Sequence, residues 1–225
     1  MIELSKRLSL IADFVDEGSS VCDVGTDHGY LPAFLYLCGK CKNVIATDIN
    51  EKPLESARKN LARIGADRVK LILCDGLGSL GRTDIDTVVI AGMGGEVISG
   101  IIDRAPFLRD GTVKLILQPT TSAKDLRIYL GANGFLVERE QAVCENGKIY
   151  SVMAARFCGT PYNLCETERL IGVLKPDTPD AREYIEKQYR IISKRASDLS
   201  EVSKKEKEYK VLLQTAESLK QILGG

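Results

Sequence analysis

Cys22-Asp-Val-Gly-Thr-Asp-His-Gly-Tyr-Leu31 compresses a strand end, a glycine turn and a helix start into ten residues. Val21 to Val24 is a short apolar run, expected as the end of a buried strand. Gly25 and Gly29 bracket a tight turn, and Tyr30 to Leu37 is apolar enough to open a helix packed on a sheet. Strand, glycine turn and helix N-terminus together make an anion and nucleotide site. The glycines let backbone approach a ligand, and the first N–H groups of the helix face it without partners of their own. A purely structural βα turn is the competing reading.

The next strand, Val44-Ile-Ala-Thr-Asp48, ends in an acid. A carboxylate there is placed to accept both ribose hydroxyls of an adenosine. Asp23 lies inside the first strand end, where it would repel a pyrophosphate. It suits a ligand with a cationic end, such as the amino group of S-adenosylmethionine.

Working outward, Leu4, Leu8, Ile11 and Val15 recur at helical spacing and predict an amphipathic helix over 3–16. Lys6 and Arg7 lie on it, and by themselves read as a solvated face. Strands are expected at 20–24, 43–48, 69–74, 85–91, 113–117, 134–138 and 150–156. Helices are expected at 30–38, from about Pro53 to Ile64, at 96–102 and at 123–132. Ser122 is the expected N-cap of the last of these, and Asn146-Gly147 the turn of a terminal hairpin. This order predicts an α/β fold: a doubly wound, Rossmann-like sheet with an antiparallel last strand, its ligand at the carboxyl ends of strands one and two.

From about residue 160 the strand pattern stops, so residues 1–159 are taken as one domain and 160–225 as a helical second. A short helix is expected at 163–174, and Lys175-Pro-Asp-Thr-Pro179 breaks it. Charged helices at 180–200 and 203–223 carry thin apolar stripes and are expected to pair antiparallel in a coiled-coil-like hairpin. Lys187, Arg190, Lys194 and Arg195 cluster on one side of the first. Taken alone, that cluster is a solvated face balanced by nearby acids.

The 225 residues are 44 % hydrophobic and 28 % charged, with a formal net charge of zero, so the overall field does not announce a nucleic-acid partner. No apolar run approaches the roughly 20 residues of a membrane span, and no signal peptide is evident, which places the chain in the cytoplasm. The seven cysteines are expected to be reduced. Cys38-Gly-Lys-Cys41 falls at a helix end rather than a helix start, lacks a second pair, and has only His28 to offer as a histidine ligand. No metal is expected.

Asp23-Val-Gly-Thr-Asp-His-Gly-Tyr-Leu-Pro32, Ala46-Thr-Asp-Ile-Asn50, Asp75-Gly-Leu77, Ala91-Gly-Met-Gly-Gly95 and Leu117-Gln-Pro119 together resemble the TrmK family, bacterial tRNA (adenine-N1)-methyltransferases that act on adenine 22. The resemblance covers nearly the whole chain. It implies S-adenosylmethionine held by Asp23, Gly25, Thr26, Gly29, Asp48 and Ile49. Asp75 and Gly76 would meet its adenine, and Ala91, Gly92, Met93 and Gly94 would lie at the reacting end. Asp27 is the first catalytic candidate, because many class I methyltransferases hold glycine there. Its carboxylate would accept from the adenine N6 amine, and His28 would assist. Tyr30, Gln118 and Pro119 become candidates for contact with the base. Lys6, Arg7, Lys187, Arg190 and Lys194 become candidates for contact with tRNA phosphate. The missing Asn-Pro-Pro-Tyr type of motif after strand four fits a ring-nitrogen acceptor. A monomer is expected, with a weak dimer the alternative. Three rivals remain: a methyltransferase for another acceptor, a silent RNA-binding module, and a nicotinamide dehydrogenase, the last disfavoured by Asp23.

Overall fold

The computed structural model describes residues 2–80, 85–199 and 205–224. Its centre is a seven-stranded sheet in the order β3-β2-β1-β4-β5-β7-β6. β1 (Ser19–Val24) pairs in parallel with β2 (Cys41–Asp48) on one side and β4 (Thr87–Gly94) on the other. β2 continues outward to β3 (Lys70–Leu73), and β4 to β5 (Lys114–Thr121). β7 (Lys148–Phe157) runs antiparallel to both β5 and β6 (Phe135–Glu145). The chain thus builds outward from β1 in both directions. The crevice at the carboxyl ends of β1 and β4 is the topological switch point, where open α/β sheets take their ligands.

Strand residues alternate between two apolar layers. Val88 and Ile90 of β4, with Leu115 and Leu117 of β5, pack under α4 (Gly95–Asp103) and α5 (Ala123–Ala132). Val89 and Ile116, one residue out of step, pack on the opposite face under α1 (Lys6–Phe14) and α2 (Tyr30–Leu37). α3 (Glu51–Ile64) carries the predicted stripe: Leu54, Ala57 and Leu61 are buried, and Gly65 at φ 75° ends it. Asn146 and Gly147, both at positive φ, make the hairpin turn as expected.

Several features differ from those the pattern suggested. β6 runs to Glu145 instead of stopping near Glu138, because Glu140, which looks like a solvated residue, is buried against Arg127. β4 runs through Gly92-Met-Gly94, bulging where it pairs with β5, so the glycines lie in the strand end rather than after it. The short helix is only Glu166–Ile171, named α6 here. Ser122 precedes α5 at φ 54° and makes no side-chain cap bond.

α6, α7 (Pro179–Leu199) and α8 (Glu206–Ile222) share a third core with Ala142 of β6. Arg182 Nη1 donates to the Leu223 carbonyl at 3.0 Å, and Arg195 lies 3.8 Å from Glu208, so α7 and α8 run antiparallel. Ser200 and residues 203–204, the expected end of one helix and start of the other, lie outside the described residues. A buried polar knot fastens these helices to the sheet. The Arg127 guanidinium bonds Glu140 at 2.6 Å, the Leu170 carbonyl at 2.8 Å and the Tyr184 hydroxyl at 3.1 Å. Glu140 also accepts from the Val173 N–H at 3.3 Å. Gly172 is required here: a Cβ on it would stand 1.8 Å from the Glu140 carboxylate.

Among the described residues, no helix is long and apolar enough to cross a membrane, and no cluster of three or more metal-ligating side chains occurs. Cys38 is the C-cap of α2 and exposed, Cys41 is buried in β2, and both are free thiols.

Candidate active site

A cavity of about 390 Å³ opens at the switch point. Its floor is Asp23, Gly25 and Thr26, at the end of β1 and in the turn after it. Ala91 and Gly92 of β4 form one wall, and Arg7 of α1 another. Asp27, His28 and Tyr30 stand at the mouth. Of the candidates, Asp23, Gly25, Thr26, Asp27, His28, Tyr30, Ala91 and Gly92 therefore line one space with Arg7, whereas Gly29, Asp48, Ile49, Asp75, Gly76, Met93 and Gly94 stand outside its lining.

The turn is held from below. The N–H groups of Gly25 and Thr26 both donate to the Thr47 carbonyl of β2, at 2.8 and 3.0 Å. Gly25 sits at φ 74°, and a Cβ there would stand 2.2 Å from the Met93 methyl, which occupies that space. Asp27 has φ 50°, a left-handed conformation that asparagine and aspartate tolerate better than other non-glycine residues. That explains how aspartate can stand where related turns use glycine. Gly29, at φ 72°, begins α2 and rests on α3: its Cβ would lie 3.2 Å from that of Ala57.

Asp23 is buried, and burial pushes its carboxyl from 3.8 up to about 6. The Asp48 charge adds to this. Thr26 Oγ1 is itself buried and closes no hydrogen bond. A buried acid beside an orphaned hydroxyl, with a glycine cradle above, fits a ligand that brings an ammonium and further polar atoms into this floor. Next to it, Asp48 is buried at the end of β2 and accepts from the Asn50 N–H at 2.8 Å. Ile49 is 63 % exposed, an apolar surface with nothing on it. Asp75 is exposed and pairs with Arg104 at 3.1 Å, while Gly76 is tied to β2 through its carbonyl and Thr47 Oγ1.

The mouth is polar. The Asp27 side chain is 70 % exposed, with Oδ2 3.5 Å from His28 Nε2. Tyr30 is 44 % exposed, its ring centroid 5.7 Å from that of His28.

Several candidates occupy other places. Gln118 and Pro119 are fully packed in β5. Gln118 Oε1 accepts from Arg7 Nη1 at 2.6 Å and from the Gly92 N–H at 3.1 Å, so it shapes the β4 wall. Arg7 is no solvated helix residue: its backbone N–H and Nε both donate to Glu145, at 3.0 and 3.3 Å. Lys6 is exposed beside it. Lys187, Arg190 and Lys194 are exposed on α7, outside this cavity. Glu145, Ser56 and Asn60 escape a sequence reading as neighbours of the site, since nothing local links them to it.

Residues 4–153 match a family model described as a methyltransferase domain. The tRNA (adenine(22)-N(1))-methyltransferase of Bacillus subtilis (strain 168) is 33 % identical over 155 residues, which are 68 % of this chain and 65 % of that enzyme, a little under two thirds of its length. The crystal structure of Streptococcus pneumoniae Sp1610, a putative tRNA (m1A22) methyltransferase, superposes with a TM-score of 0.83 at 31 % identity, over 98 % of this chain and all of that one. The chain belongs to the TrmK family. The likeness to Sp1610 runs through the helical C-terminal part, so the extension is a TrmK feature and not an addition peculiar to this protein. The same S. pneumoniae protein in complex with S-adenosyl-L-methionine superposes with a TM-score of 0.80, again at 31 % identity over 98 % of this chain and 100 % of that one.

Proposed function

We propose that this chain transfers a methyl group from S-adenosylmethionine to N1 of adenine 22 in tRNA. The observation that carries the reading is an exposed carboxylate, Asp27, at the mouth of a cavity whose floor is the buried acid Asp23. That arrangement offers a cation-binding floor and a second acid able to meet a base from outside.

Asp23 and Thr26 would hold the amino-acid end of the cofactor, and Asp48 its ribose hydroxyls. Ile49 offers an apolar face to the adenine ring, and Asp75 with Gly76 lies where its exocyclic amine would come. Bound S-adenosylmethionine supplies an electrophilic methyl on a sulfonium, so one N–C bond forms as one S–C bond breaks and the electron pair stays on sulfur. Adenine N1 has a free lone pair at neutral pH, so no strong base has to act first. Asp27 accepts from the N6 amine, which orients N1, and its charge balances the cation that develops on the ring. Tyr30 offers a face for stacking.

N1 lies on the Watson–Crick edge, so the base must leave its place in the tRNA fold to enter the cavity. Lys187, Arg190 and Lys194 make no ion pair among the described residues and offer a phosphate-binding face on α7. Lys6 would add to it from α1. Arg7, already committed to Gln118 and Glu145, serves the cavity wall instead. A tRNA substrate puts this work in the cytoplasm, and we take the working unit to be the monomer. The test is labelled S-adenosylmethionine with a tRNA transcript carrying adenine 22, beside one carrying guanine there. Label in the first alone is expected. Label in both overturns the position, and label in neither, with cofactor bound, overturns the acceptor.

A further inference from the structure

Two side chains of α3, four residues apart, seat His28. Ser56 Oγ lies 2.9 Å from His28 Nδ1, and Asn60 Nδ2 donates to the His28 carbonyl at 3.1 Å. Residues so spaced share a helix face. Ala57, beside them, receives Gly29 in near contact. This face of α3 is therefore the bed of the 27–29 loop, fixing both the backbone and the ring of His28.

The second ring nitrogen decides what the seat does. Nε2 stands 3.5 Å from Asp27 Oδ2. A neutral imidazole carries one proton, and the hydrogen bond made by one nitrogen selects the state of the other. A proton on Nδ1 would leave the Nε2 lone pair facing a carboxylate. A proton on Nε2 instead turns the positive N–H edge toward that carboxylate, an electrostatic contact at 3.5 Å, and Nδ1 then accepts from the Ser56 hydroxyl.

We propose that Ser56 is a positioning residue for methyl transfer: its hydroxyl donates to His28 Nδ1, holds the ring as the Nε2–H tautomer, and thereby aims the Asp27 carboxylate. Asn60 holds the same residue through its carbonyl. The proposal rests on the reading of Asp27 as the group that meets the adenine. Asp27 needs such help, because an exposed side chain on a turn samples several rotamers, and a carboxylate fixed before docking loses less freedom when the base arrives.

The chain has one histidine, so a long-range 1H–15N imidazole spectrum of the full-length protein contains a single ring. With that ring neutral, the wild type is expected as the Nε2–H form. In Ser56→Ala the ring is expected to become a mixture of tautomers. Its kcat on the adenine-22 transcript should fall about five-fold, the worth of one neutral hydrogen bond, with the cofactor Kd unchanged. Alanine is the better helix former, so α3 is not at risk. Ser56→Thr, which keeps a hydroxyl, should restore both readouts. A wild-type ring in the Nδ1–H form overturns the proposal, as does a Ser56→Ala protein whose ring and kcat match wild type. If the wild type methylates no transcript, the function proposed above falls, and the tautomer shift alone decides whether Ser56 seats the ring.

Discussion

Asp23→Asn should make the ligand-free protein more stable and the cofactor complex weaker. Asp23 is 6 % exposed, and burial lifts its carboxyl from 3.8 to about 6. Because the folded value is the higher one, the fold holds this proton more tightly than the unfolded chain does. Below pH 3.8 both states are protonated and nothing is lost. Between 3.8 and about 6 the unfolded chain ionises first, and stability falls as pH rises. Above that range the full cost is present, about 3 kcal/mol at 1.36 kcal/mol per pH unit. Roughly 2 kcal/mol of it falls between about pH 4.5 and 7.5. The amide of the variant carries no such proton. Urea unfolding without cofactor should therefore show the variant gaining about 2 kcal/mol on wild type between those two pH values, or about 4–8 °C in melting temperature for a chain of this size. Calorimetric titration at about pH 7.5 should show S-adenosylmethionine binding roughly ten- to a hundred-fold more weakly, the worth of one hydrogen bond to a charged group, about 1.5–3 kcal/mol. A stability difference that does not change with pH would refute the claim that Asp23 is ionised at a cost. Undiminished affinity would refute its place at the ammonium end of the ligand.

Other consequences can be checked in the same preparations. Asp27→Asn keeps a residue that accepts φ 50° while removing the charge. It should lower kcat by about 100-fold or more in single-turnover methylation, with cofactor affinity intact; an unchanged rate would remove Asp27 from the reaction. Reversing Lys187, Arg190 and Lys194 to Glu should raise the KM for tRNA and flatten the slope of log affinity against log salt by about 2–3, since each lost phosphate contact removes about 0.7–0.9. Equal salt slopes for both proteins would mean that α7 does not touch the tRNA backbone. Arg127→Met strands Glu140 in the interior and should cost about 3–5 kcal/mol in urea unfolding. Adding Glu140→Leu to it should restore much of that, and a double variant as weak as the single one would deny that the two residues act as a pair.

Much of the central sheet is legible in sequence because its signals are local. β1, its glycine turn and α2 announce themselves within a single short stretch, and Asp48 marks the end of β2. The paired positive φ values of Asn146 and Gly147 are what an Asn-Gly turn demands. The errors fall where a residue's partner is distant. Arg7 looks like a solvated helix charge, yet its partners Glu145 and Gln118 lie 138 and 111 positions away. Glu140 falls beyond the expected end of the strand at Glu138, since nothing beside it foretells that Arg127 and the Val173 N–H will meet it in the interior. Gln118 is a base-contact candidate only through the family resemblance carried by Leu117-Gln-Pro119. In the fold its side chain is consumed in holding Gly92 and Arg7.

These misreadings have one physical origin, and it bears on how the site works. A polar side chain can be buried only if another meets it, and in this fold the partners come from elements remote in sequence. Gln118 and Glu145 on Arg7 bring α1 to the carboxyl ends of β4 and β5, and so make the cavity wall. Glu140 on Arg127 brings α6 and α7 to the sheet, and so sets where the exposed Lys187, Arg190 and Lys194, the phosphate contacts we propose, stand relative to Asp27. The chemistry-bearing residues Asp23, Asp27 and Asp48 lie on one βαβ unit and are visible in sequence. The residues that shape the approach to them belong to long-range polar pairs, which neither composition nor local pattern reveals.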